Sequence, residues 1–263
     1  MSKKLNVLFI PSMNSSVMWW RVQSFVESTY RQCIANFVNP LWFKDLNGGQ
    51  EWQAKITDGP SYDPIYIRQF VPMIDSGCLQ ADAIVMQWVH EEGGVELFDS
   101  IKTRFPNVPL FMEIDDNLMS VPVYNQSFGA YDPRAESRAR AIHQMRESDG
   151  MIVSTPFLKE IYSEFNKNIW VVPNSIDFKL WDRVKRRPRS GIRIGWAGGA
   201  SHSDDMALIE GAINRITKRH KEVKFVFING PTNTGLPDSL KGNPGVEHHA
   251  RWEPILKYPS LLG

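Results

Sequence analysis

Two length scales of apolar patterning alternate along this chain. Short, nearly unbroken apolar runs recur at Leu5 to Ser12 (LNVLFIPS), Ala83 to Val89 (AIVMQWV), Pro109 to Asp115 (PLFMEID), Gly150 to Thr155 (GMIVST) and Ile169 to Asn174 (IWVVPN). Each has the length of a strand and none the length of a buried helix. Between them lie longer stretches in which apolar residues return every three or four positions. Val22, Phe25, Val26, Thr29 and Tyr30 share one helical face, and Gly94 to Phe105, Arg134 to Ser148 and Pro156 to Phe165 also read as helices. Apolar strands that hardly alternate, separated by helices, predict a parallel sheet covered on both faces. The expectation is a Rossmann-like α/β domain. Lys44 to Pro72, rich in Gly, Pro, Asp and Asn, reads as loops inserted near a site.

The pattern stops at Asp182 to Gly191 (DRVKRRPRSG), which is basic and has no apolar period. It reads as a solvated linker rather than a nucleic-acid patch. A second α/β pattern then begins. Ile192 to Trp196 is a strand, and Met206, Ile209, Ile213 and Ile216 lie at helical spacing. Lys218, Arg219 and Lys221 suit that helix's C-terminus. Val223 to Gly230 and Val246 to Trp252 are the next strands. The expected organisation is a first domain over 1–182, a linker over 183–191 and a second domain over 192–263. From Ser190 onward about 74 residues remain, roughly half of a typical domain, so the second domain is expected to be incomplete.

Composition narrows the class without choosing a function. The 263 residues are 42% hydrophobic and 22% charged, and the net charge is +1. That is an ordinary globular balance with no bulk pull toward nucleic acid or membrane. Cys33 and Cys78 form no CxxC pair, so reduced thiols in a cytoplasmic protein are expected rather than a disulfide framework or a zinc site. No stretch approaches the roughly 20 apolar residues of a membrane span, and the N-terminus lacks a signal-peptide core.

Candidate chemistry gathers where strands end. After Ile192 to Trp196 comes the loop Ala197 to Ser201 and an acidic helix start. Backbone N–H groups of Gly198 and Gly199, with Ser201 and His202, have the character of a diphosphate cradle at a helix N-terminus. Asp204 and Asp205 oppose an anion placed directly there, and a plain turn capped by Ser201 or Ser203 is the competing reading. The loop is neither GxGxxG nor a Walker motif. In the first domain, Glu113 to Leu118 (EIDDNL) ends a strand, and Asp115 or Asp116 is a candidate to hold ligand hydroxyls or take a proton. His90 after another strand is a candidate general base. Arg21 is a candidate to contact a phosphate or another acidic group, against a surface ion pair. Trp20 and its neighbour Trp19 are candidates to stack on a ligand ring, against core packing. His248 and His249 are adjacent on a strand and so point to opposite faces, which argues against a metal pair. No GxSxG element is present.

Read together, "VVPNSIDFKLW", the basic segment and "IRIGWAGGASHSDD" resemble the GT-B glycosyltransferases, specifically the group 1 class (glycosyltransferase family four). In that class a P-N-G-I-D type segment closes the N-terminal domain, and a strand with a G-(W/Y)-x-G loop opens the donor domain. Pro173, Asn174, Ile176 and Asp177 match, and Ser175 stands in place of the usual Gly. The closing "RWEPILKYPSLLG" is similar to the segment that precedes the family's donor-site carboxylates.

The resemblance implies two Rossmann-like domains and transfer of a sugar, usually with retention, from a UDP- or GDP-sugar to an acceptor. It implies no obligatory metal. Asn174, Gly198, Gly199, Ser201 and His202 fall on the donor side, and Arg21 and Trp20 on the acceptor side. The acceptor could be a lipid-linked or surface glycan, a small molecule, a protein or modified DNA, the last disfavoured by the near-zero net charge. Two family features are absent: the later Glu-x7-Glu segment and a clear basic pair. A truncated enzyme, a completing partner chain or homo-oligomer, and a non-catalytic binding module each account for that. A nucleotide-sugar epimerase relative is a further alternative.

Overall fold

The structure, a computed structural model, describes residues 5–10, 21, 34–37, 75, 78–90, 92–125, 128–175, 178, 182, 191–198, 202–229 and 236–250. The expected helix around Val22 to Tyr30, the loops of Lys44 to Pro72, Cys33, the basic residues 183–190 and the closing segment 251–263 lie outside them. The chain divides into two compact units, Met1–Ile176 and Asp177–Gly263.

Six parallel strands build the first unit: β1 (Asn6–Ile10), β2 (Ile34–Phe37), β3 (Ala83–Gln87), β4 (Leu110–Ile114), β5 (Gly150–Val153) and β6 (Ile169–Val171), in the order β2-β1-β3-β4-β5-β6. The described helices are α1 (Glu92–Arg104), the single turn α2 (Phe128–Tyr131), α3 (Glu136–Glu147) and α4 (Pro156–Tyr162). Five strands fall where the apolar runs predicted them. The sixth, β2, was not foreseen: it has only four residues, one of them Asn36, and it sits at the sheet edge. So short a segment leaves almost no period to read.

Register explains the apolar runs. Leu8 and Ile10 of β1, Ile84 and Met86 of β3, and Leu110 of β4 share one face and pack on Leu97, Phe98 and Ile101 of α1. Further along that face Met112, Ile114, Met151 and Val153 meet Ala141 and Met145 of α3 and Leu158 and Tyr162 of α4. The alternate residues Phe9 and Val85 are buried on the opposite face, with Phe111 and Ile152 beside them. Both faces therefore carry apolar side chains, as a parallel sheet requires. Pro156 stands in the first turn of α4, and Thr155 caps it by accepting from the Leu158 amide at 3.2 Å.

The chain leaves β1 toward β2 on one side and returns to β3 on the other. That reversal is a topological switch point, and ligands of open α/β sheets bind outside the carboxyl ends of the strands that flank it.

The second unit has three parallel strands among its described residues: β7 (Ile192–Ala197), β8 (Val223–Asn229) and β9 (Val246–Ala250), in that order. Helix α5 (Ser203–Arg219) connects β7 to β8 and packs Met206 and Ile213 on Val223, Phe225 and Phe227. Its buried stripe is narrower than the spacing suggested. Thr217 is buried, whereas Ile209, expected inside, is 44% exposed. Gly191 opens β7 with φ +82°, and a Cβ there would lie 2.4 Å from the Glu222 carbonyl oxygen. No helix among the described residues is long and apolar enough to cross a membrane.

Candidate functional site

At the carboxyl end of the first sheet, polar side chains from distant parts of the chain converge. β4 carries Glu113 on the face opposite the α1 and α4 core, and β3 carries Gln87 beside it in register. Gln87 Nε2 donates to Glu113 Oε2 at 2.9 Å. Arg21 Nε donates to Glu113 Oε1 at 2.5 Å. The Arg21 Nη1 donates to the Val172 carbonyl at 2.6 Å and to Asn174 Oδ1 at 3.0 Å, just beyond β6. Arg21, Gln87 and Glu113 are 8%, 2% and 3% exposed.

A carboxylate this deep is costly to ionise. Burial pushes Glu113 up from 4.5 to about 7, against the pull of the Arg21 charge and the Gln87 hydrogen bond, and the nearby Asp115 adds to the rise. Asp115 is half-buried. Burial raises it too, while the Arg21 charge and a hydrogen bond from Asn174 act in the opposite direction.

Asp116 is exposed, and its backbone is held from below. The Tyr162 hydroxyl donates to the Asp116 carbonyl at 2.5 Å and accepts from the Leu118 amide at 3.0 Å. Ser154 Oγ donates to the Asp115 carbonyl at 3.3 Å. The turn after β4 is thereby tied to α4 and to the end of β5.

The turn after β3 is fixed similarly. Gln144 of α3, fully buried, accepts from the Val89 amide at 3.4 Å and donates to the Val89 carbonyl. Trp88 and His90, two residues apart, lie on the other face from Gln87. Their rings stack at 5.5 Å, and Tyr131 meets both edge-on, its hydroxyl 3.4 Å from His90 Nδ1.

The structure thus brings Arg21, Asp115 and Asn174 together and sets His90 in a separate aromatic group. Trp20 lies outside the described residues. Arg21 is buried in an ion pair rather than extended to solvent. Sequence reasoning passed over Glu113, Gln87, Gln144 and Tyr162. The signal for the first two was a lone polar residue inside each apolar strand run. Gln144 and Tyr162 look like ordinary helix residues in one dimension.

In the second unit, the Gly198 amide donates to the Ile228 carbonyl at 3.1 Å. It belongs to the sheet, and a Cβ there would fall 2.5 Å from the Trp196 indole. Gly199 and Ser201 lie outside the described residues. Helix α5 starts at Ser203 with His202 as its N-cap residue and no side-chain cap, instead of a serine cap. His202 Nδ1 pairs with Asp205 Oδ2 at 2.8 Å, and its ring lies edge-on to Trp196. His248 and His249 register with Phe227 and Ile228 and so face opposite ways. No group of three or more metal-ligating side chains occurs among the described residues.

No family model matches the chain, and no curated protein matches it in sequence. Solved structures do. The chain is similar to sucrose-phosphate synthase from Thermosynechococcus elongatus, at TM-score 0.62 and 10% identity over 94% of this chain and 71% of that one. It is similar to S. aureus MnaA, solved with UDP, at TM-score 0.55 and 11% identity over 98% and 72%. A likeness to TarM, at TM-score 0.47 and 14% identity, covers 66% of this chain and 34% of that one. By fold, the chain is of the GT-B type, built from two Rossmann-like α/β units.

Proposed function

We propose that this protein transfers a sugar from a nucleotide-sugar, a UDP- or GDP-sugar, to an acceptor hydroxyl, with retention at the anomeric carbon and in the cytoplasm. The observation that carries the reading is the meeting of Asp115, Arg21, Glu113 and Asn174 at the carboxyl end of the first sheet, beside its switch point. A half-buried carboxylate there suits an acceptor hydroxyl, which it holds by a hydrogen bond. The second unit takes the donor role. The N-terminus of its 17-residue helix α5 carries the partial positive charge that suits a leaving diphosphate. The likeness in fold supports this, since S. aureus MnaA was solved with UDP and an E. coli trehalose-6-phosphate protein of similar fold with UDP-2-fluoro-glucose.

Calorimetric titration with UDP, GDP, UDP-glucose and GDP-mannose tests the donor role, and release of free nucleotide in the presence of an acceptor panel tests turnover. Binding without turnover in any acceptor favours a non-catalytic binding module. Sugar conversion without acceptor favours an epimerase. No binding of any of the four ligands sinks the proposal. Asp115→Asn is expected to leave nucleotide affinity unchanged and to lower turnover about 10²- to 10⁴-fold, the range of a lost acid–base group.

A further inference from the structure

An arginine is the usual side chain for holding a phosphate or carboxylate, and the sequence offers Arg21 for that role. Its contacts give it another. Nε donates to Glu113 Oε1 at 2.5 Å, and Nη1 donates to the Val172 carbonyl at 2.6 Å and to Asn174 Oδ1 at 3.0 Å. Only 3% of the Arg21 side chain and 4% of the Glu113 side chain are exposed. The other Glu113 oxygen accepts from Gln87 Nε2 at 2.9 Å, so the carboxyl group is held on both sides. A ligand that drew Arg21 outward would strand Glu113 in the interior without its counter-charge, which is the costly way to break a buried pair. The Arg21 charge is therefore committed inside the protein.

Further arginines follow β4 on the same side, and they are engaged as well. The chain leaves β4 at its carboxyl end and re-enters the sheet at Gly150 of β5, parallel to β4, so residues 115–135 and the first turns of α3 lie at that end. Arg134 Nε pairs with Asp132 Oδ1 at 3.0 Å, and Arg140 Nη2 with Glu136 Oε2 at 3.0 Å. Arg138 Nη1 donates to the Met119 and Tyr131 carbonyls at 3.3 and 3.2 Å. Asp115 takes part in none of these pairs. It is half-buried at the end of β4, and Asp116 beside it is exposed. Ionised carboxylates accept hydrogen bonds and donate none. This strand end thus presents acceptors for hydroxyl hydrogens, together with negative charge, while the guanidinium that reaches it is turned inward.

We propose that the acceptor is an uncharged, hydroxyl-bearing molecule, a sugar or polyol without phosphate or carboxylate, and that Arg21 supports the site from inside without touching it. This rests on the reading of the sheet's carboxyl end as the acceptor side. Asp115 accepts a hydrogen bond from an acceptor hydroxyl. A phosphate monoester carries close to two negative charges at neutral pH and meets like charge there.

The test compares matched acceptors on the full chain with a nucleotide-sugar donor: glucose with glucose 6-phosphate, and glycerol with glycerol 3-phosphate. Nucleotide release is expected to give a kcat/KM about tenfold or more higher for the uncharged member of a pair. The gap should narrow as salt rises from about 0.01 to about 0.3 M. Arg21→Gln is expected to lower both members by the same factor, within about twofold, because it acts through the fold. A kcat/KM equal or higher for the phosphorylated member overturns the proposal. So does a loss in Arg21→Gln confined to the phosphorylated member, which would put that guanidinium on the ligand. Should Arg21→Gln fail to fold, the wild-type comparison decides. Inorganic phosphate is titrated in parallel against the wild type, following the amide NMR signals of Asp116 and Leu118. No saturable shift is expected up to about 10 mM, the range of affinities weaker than millimolar, and a saturable shift at those amides also overturns the proposal. Absence of turnover with every acceptor, with phosphate still failing to bind, defeats the glycosyltransferase reading while supporting the charge reading of this sheet end.

Discussion

Glu113 illustrates how a single buried side chain sets a measurable property. Its carboxyl holds a proton more tightly in the fold than in the unfolded chain, about 7 against 4.5, because burial outweighs the Arg21 pairing. A group shifted upward stabilises the fold fully below its unfolded midpoint, and that contribution fades as pH rises through the folded one. Urea denaturation of the wild type should therefore show stability declining between about pH 5 and 7, and Glu113→Gln should lose most of that slope; a slope unchanged in the variant would locate the proton elsewhere. Glycines give a second contrast. A methyl at Gly198 enters the Trp196 indole, whereas one at Gly129 in α2 meets nothing within 4 Å. Gly198→Ala is expected to cost about 1–3 kcal/mol by overpacking, and Gly129→Ala to add about 0.4–1 kcal/mol through the unfolded state. Thermal melts of the two variants would show opposite signs. At this scale the sequence was half-legible. Asp115 and Asn174 stood out as polar residues at strand ends and Arg21 as a basic residue well after β1, but that Arg21 is buried against Glu113 and the segment after β6 depends on register and on a guanidinium's reach. One-dimensional spacing carries neither.

Elements were the most legible level, because apolar continuity and helical spacing are local. Five first-unit strands and the β7–α5–β8–β9 run follow directly from the patterns quoted above. What escaped was short or tertiary: β2 with its four edge residues, and the exposure of Ile209 on α5. The anchoring of strand-end turns by helix side chains was equally hidden, and it carries a prediction. Tyr162, at the end of α4, is fully buried, and its hydroxyl satisfies both the Asp116 carbonyl and the Leu118 amide. Burial holds its phenol in the neutral form, so it serves as a fixed donor and acceptor. Tyr162→Phe keeps the packing and removes both bonds, leaving two backbone groups without that partner. The expected cost is about 1–3 kcal/mol. Hydrogen exchange adds a local signature: the Leu118 amide should exchange faster in the variant while amides of α1 keep their protection. If Leu118 exchange is unchanged, water replaces the phenol and the turn after β4 does not depend on α4.

On the scale of the whole molecule, the two units differ in how much core they hold. The first unit has buried clusters under α1 and under α3 and α4, with a further pair on the opposite sheet face. Among the described residues the second has one cluster, Met206, Ile213, Val223, Phe225, Phe227, Leu236 and Leu240. Among the described residues no side chain belongs to clusters of both units. The apolar period changes at the basic segment, and the described clusters lie on either side of it. Phe227 sits in the middle strand, almost wholly buried, in contact with Trp196. Truncating a buried phenylalanine to alanine costs about 3–5 kcal/mol, against a total of about 5–15 kcal/mol for a natural domain. Phe227→Ala, a loss of that size at the centre of the described cluster, should bring the second unit close to unfolding at ambient temperature. Because no described cluster includes residues of both units, native-state hydrogen exchange should lose protection across β7, β8 and β9 while β3 and β4 retain theirs. The matched substitution in the first unit, Ile101→Ala, removes a side chain from the larger clustered core at about 2–5 kcal/mol and should leave β7 to β9 protected. Loss of protection in both units from either substitution would mean that they unfold as one cooperative body, and that the separation of their cores does not extend to their energetics.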